Sequence, residues 1–73
     1  MVVDIIEIRR VGFLGKTEFH RIKFDENYDS ELIPQKGTLV YIDGNVWKVS
    51  NLLYYPYGDI NERKGVKIYV TNN

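Results

Sequence analysis

Asp43-Gly44 lies between two runs of β-forming residues, 38–42 and 45–55. A two-residue type I′ turn needs positive φ at both central positions, which Asp tolerates and Gly adopts freely. The pair therefore predicts a tight antiparallel hairpin at the heart of the chain. Pro34 and Gly37 punctuate its approach, and Pro56 ends the second arm. Ser50-Asn51, in the middle of that long arm, predicts a bulge or sharp bend where one strand serves two sheets.

The flanking sequence extends the same pattern. Residues 2–10 are rich in Val and Ile, Gly12-Phe13-Leu14-Gly15 forms a connection, and residues 17–25 return as a second strand. Strict alternation over 17–25 puts Thr17, Phe19, Arg21 and Lys23 on one face, with His20, Ile22 and Phe24 on the other as core candidates. A polar segment follows, with one helical turn expected near Ser30 to Ile33. In the last strand Val66, Ile68 and Val70 point inward while Lys67, Tyr69 and Thr71 point outward. Five strands and almost no helical pattern predict an all-β fold. The expectation is a single domain over residues 1–73, a small, strongly bent, five-stranded antiparallel barrel of SH3-like type, with an OB-like barrel as the alternative.

Composition narrows the function classes. Seventy-three residues bury a modest core, and without cysteine there is no disulfide or thiolate zinc site to support it. That favours a reducing compartment, and the first residues lack the basic head and small-residue exit of a signal peptide. A cytoplasmic location is expected, with no membrane association. Ten basic and ten acidic side chains cancel, which argues against a general polyanion binder.

The run Pro34-Gln35-Lys36-Gly37, then Val40-Tyr41-Ile42-Asp43-Gly44, then Trp47-Lys48-Val49 resembles small SH3-like β-barrel proteins of phages and prophages, whose roles are uncharacterised. Val66-Lys67-Ile68-Tyr69-Val70 is similar to their last strand, and Thr38 stands where that pattern usually carries an acidic residue. The resemblance implies a fold and a phage or mobile-element source. It supplies no activity.

Catalytic and metal chemistry find little support. Asp25, Asn27 and Asp29 have the spacing of the first EF-hand ligands, but Ser30 replaces the turn glycine and Lys36 the bidentate glutamate. His20 is the single histidine, which rules out a two-histidine metal site within one chain. It is expected on the inner or rim side of its strand. Neither Ser30 nor Ser50 sits in a nucleophile-elbow context. No enzyme activity, no metal and no cofactor are expected.

Recognition is better supported. Six Tyr, three Phe and one Trp exceed what a minimal core needs. Tyr54, Tyr55 and Tyr57 surround a proline, and tyrosines offer broad contact area with few rotors to freeze. Phe13 and Leu14 stand at a loop tip. These five are the expected protein-contact residues, for a separate partner or for a second copy in a homo-oligomer. A competing surface combines Phe19, Arg21, Lys23, Lys67 and Tyr69. There rings would stack on the bases of a single-stranded nucleic acid while cations follow its backbone.

Overall fold

At Asp43 and Gly44 the backbone turns with φ of 50° and 89°, and Ile42 pairs with Asn45 to close the hairpin. The computed structural model describes residues 1–55 and 65–72, with the backbone alone for Tyr55. Its elements are β1 (Val2–Val11), β2 (Lys16–Asp25), a 3₁₀ turn (Ser30–Leu32), β3 (Leu39–Ile42), β4 (Asn45–Tyr55) and β5 (Gly65–Thr71). No helix among the described residues is long and apolar enough to cross a membrane.

All five strands join one sheet in the order β2-β1-β5-β4-β3. The all-β, five-stranded expectation holds, but the wholly antiparallel arrangement does not. β1 and β5 pair in parallel, while the other three neighbouring pairs are antiparallel. The sheet is mixed and open. Parity explains the parallel pair: when each strand reverses the one before it, the first and fifth run the same way.

Two bulges decide which side chains share a face. In β4 the register shifts between Val49 and Asn51, as the Ser50-Asn51 signal predicts. Ser50 is the extra residue, so Leu52 rather than Asn51 returns to the inner face opposite Ile68. In β2 a second shift leaves Ile22 without a partner, because Arg21 pairs with Ile6 and Lys23 with Ile5. This one overturns the alternation read from the sequence. Beyond Ile22 the parity inverts: Phe24 joins Phe19 and Arg21 on the outer face, and Lys23 moves to the inner side. Of the three core candidates in this strand only Ile22 packs against the core, while His20 and Phe24 are exposed.

The inner face carries Val3, Ile5, Trp47, Val49, Val66, Ile68 and Val70 as one buried cluster. Val66, Ile68 and Val70 are inward as expected. Each such side chain contributes roughly 1.5–3 kcal/mol on full burial. The connection from β2 to β3 crosses this face from one sheet edge to the other, about 19 Å at the usual strand spacing. Tyr28 and Ile33 from that connection pack on the cluster. Two main-chain bonds pin Tyr28: its N–H donates to the Met1 carbonyl (2.9 Å), and the Met1 amino group donates to the Tyr28 carbonyl (3.0 Å). The 3₁₀ turn is capped by Asp29, whose carboxylate accepts from the Glu31 N–H at 2.9 Å.

Candidate recognition surface

Three regions bear on recognition: the β1–β2 tip, the outer face of the sheet, and a cleft beside β3. The tip is built by two glycines. Gly12 and Gly15 adopt φ of 79° and 68°, and the Gly15 N–H donates to the Gly12 carbonyl across the turn. The glycines make the reversal, leaving Phe13 and Leu14 between them with their side chains fully in solvent. They do not fold back over the sheet.

On the outer face, Phe19 of β2 meets Tyr69 of β5 edge-on, with ring centroids 6.0 Å apart and planes at 71°. Ile8, Asn51 and Leu53 join them around a shallow depression of about 380 Å³. Phe19, Phe24 and Leu53 are all substantially exposed here. Leu39 and Tyr41 of β3 and Val46 of β4 are exposed as well, and Tyr41 pairs with Val46 across the hairpin. Apolar side chains in this number on one open face exceed the scattered single exposures of an ordinary surface.

Arg21 organises the middle of the face. Its guanidinium grips the buried Asp4 carboxylate through both oxygens, Nε to Oδ1 at 2.8 Å and Nη2 to Oδ2 at 2.9 Å. The same group lies over the Phe24 ring, 4.9 Å from its centroid. The Ile22 bulge makes this possible, since two residues three apart in a regular strand would face opposite ways.

The inner face changes character toward the tip, where the hydrophobic cluster gives way to charge. Arg9 donates to both oxygens of the buried Glu7 carboxylate, at 2.8 and 3.0 Å. The Glu7 hydrogen bond and charge, with a further contribution from Glu18, hold the Arg9 guanidinium above its ordinary pKa. Glu18 pairs with Arg9 across the strands and lies 3.1 Å from His20 Nε2. His20 sits on the rim within this charge row. The carboxylates of the EF-hand-like segment serve local turns: Asp25 accepts from the Asn27 N–H, as Asp29 does from that of Glu31.

The sequence-derived residues fall into three groups. Phe19, Arg21, Lys67 and Tyr69 share the outer face, and Lys67 stands beside Asp4 in the parallel register. Lys23 is separated from them by the bulge. Phe13 and Leu14 form the bare tip. Tyr54 pairs with Val66 at the far end of β4 and is more than half exposed. Tyr57 and the Tyr55 side chain lie outside the described residues. Sequence reasoning passed over Phe24, because a bulge in β2 has no compositional mark. It also passed over the cleft of about 330 Å³ lined by Tyr28, Leu32, Pro34, Val40 and Tyr41, which exists only because the connection crosses the sheet.

No protein-family model, curated protein or solved structure matches this chain.

Proposed function

We propose that this chain is a non-enzymatic protein-binding or self-associating β module, encoded by a phage or mobile element. The observation that carries the reading is the β1–β2 tip, where two large apolar side chains stand fully in water on a glycine-built turn. Leaving them there lowers solubility and stabilises nothing within the monomer. Contact with another protein would offset that cost. The outer face, with Phe19, Phe24 and Leu53, extends the apolar surface away from the tip. Tyr54 at the far end of β4, with Tyr55 and Tyr57 close to it in sequence, is proposed as a second contact region. We read the twice-bulged sheet as an opened relative of small bent barrels, SH3-like first and OB-like second.

The test compares the wild-type chain with Phe13→Ser/Leu14→Ser as bait, with captured proteins quantified by mass spectrometry. Loss of specific capture with unchanged thermal unfolding supports the reading. Equal capture by both baits removes the tip from it.

The Phe19–Tyr69 contact favours a second reading, a platform for single-stranded nucleic acid with Lys67 alongside. Two features weaken it: Arg21 already neutralises Asp4, and Lys23 sits across the bulge. Titration of a labelled oligonucleotide at low salt decides. Binding that falls steeply with added salt supports this reading, and no binding at low salt ends it.

A further inference from the structure

The outward edge of β2 carries no strand among the described residues, and its sequence is matched to itself. We propose that two copies of this chain pair antiparallel along β2, about a two-fold axis through Phe19. This rests on the protein-binding reading above and specifies its partner as a second copy.

Two arguments favour this register, continuity of the faces and the charges it opposes. The axis must keep the outer face of one copy continuous with that of the other, so it passes through a residue and not between two. Centred on Glu18, the pairing sets Glu18 against its own copy, like charge facing like. Centred on Phe19, it sets Glu18 opposite the partner's His20 and Phe19 opposite the partner's Phe19. Within each chain Arg9 pairs with Glu18 and Glu7 with His20. One row across the joined sheets would then read Arg9, Glu18, the partner's His20, the partner's Glu7, a cationic or titratable group alternating with a carboxylate. The next row joins Ile8 and Phe19 to the partner's Phe19 and Ile8 on the outer face.

The length of pairing is also defined. Between the tip at Gly15 and the bulge at Ile22, β2 runs regularly from Lys16 to Arg21. Bulges and lysines commonly blunt sheet edges, and here the bulge stops the ladder without covering the straight part. Centred on Phe19, that stretch pairs from Thr17 to Arg21, since Lys16 would face the partner's bulged Ile22, and five residues of ladder fall short of the roughly 800 Å² per partner that a stable interface buries. The same axis makes up the difference. It brings Leu14 near the height of the partner's Phe24, so each bare tip would cover the half-exposed ring of the other copy. Zero formal net charge opposes no approach of like copies.

The chain has no cysteine, so single substitutions report cleanly. Opposed residues of an antiparallel pair have Cα atoms about 4.5–5.5 Å apart, within disulfide reach. Under mild oxidation, Glu18→Cys mixed with His20→Cys should give a disulfide-linked heterodimer. Neither variant alone should crosslink, since its two copies would stand about 8 Å apart. Wild type should sediment as a dimer, Glu18→Lys should weaken association about tenfold, and Glu18→Lys/His20→Glu should restore it. A monomer at all concentrations, or crosslinking that does not need the mixture, overturns the proposal. If a monomeric chain still loses specific capture in the tip variant, self-pairing falls and protein binding stands. A crosslinked dimer with capture unaffected by the tip substitutions reverses that outcome.

Discussion

Replacing Arg21 by Met keeps the aliphatic stem and removes the charge that holds Asp4. The Asp4 side chain is 7% exposed and that of Arg21 61% exposed, so the two ends of this pair live in different solvents. Breaking a fully buried pair from one side costs about 3–5 kcal/mol, whereas exposed pairs are worth about 0.2–1. Water reaches the guanidinium but not the carboxylate, so the cost falls between these limits, at about 2 kcal/mol. The ring contact with Phe24 adds about 0.5 kcal/mol at an exposed site. A domain of this length has about 4–11 kcal/mol of total stability, so the loss is a large fraction of it. Thermal unfolding followed by the fluorescence of Trp47, the single, buried tryptophan, should show Tm lower by about 10 °C or more. Asp4→Asn/Arg21→Met should recover over half of that, because the neutral amide no longer needs a cation. If Arg21→Met unfolds within about 0.5 kcal/mol of wild type, Asp4 does not depend on Arg21 and the reasoning is refuted.

Ile68→Ala empties the middle of the inner face and should cost about 3 kcal/mol in urea unfolding, against near silence for Phe13→Ser/Leu14→Ser, within about 0.5 kcal/mol of wild type. Gly44→Ala meets no atom but must hold φ near +89°, so about 1 kcal/mol should be lost with native circular dichroism retained. Deleting Ser50 removes only the extra residue and restores plain alternation of Val49, Asn51 and Leu52. The variant should unfold cooperatively with a loss of about 1–2 kcal/mol, and a molten product would show that the bulge is needed for the fold.

Local chemistry was readable wherever one residue type has one structural use. Asp43-Gly44 admits a tight reversal and little else, and the alternation of Val66, Ile68 and Val70 names a buried face without help from the rest of the chain. Ser50-Asn51 marked its bulge because small polar residues rarely interrupt a long β run without one. The bulge at Ile22 had no such mark. Isoleucine is an ordinary strand residue, and one unpaired position reversed every facing after it, exchanging Lys23 for Phe24 on the outer surface.

The candidate site divides along the same line. The bare tip was visible as Phe13-Leu14 between two glycines, since a turn of that size leaves its central side chains nowhere to pack. Phe19, Arg21 and Tyr69 could be grouped from alternation, but Phe24 could not, because only the bulge at Ile22 turns it to that face beneath Arg21. Alternation is a property of each strand alone, so it can be read along the chain. Strand order, the parallel β1–β5 pair and the crossing of residues 26–38 over the core follow from burying apolar surface across long sequence separations. Many pairings of the same five strands satisfy the local pattern, and only their packing together selects one.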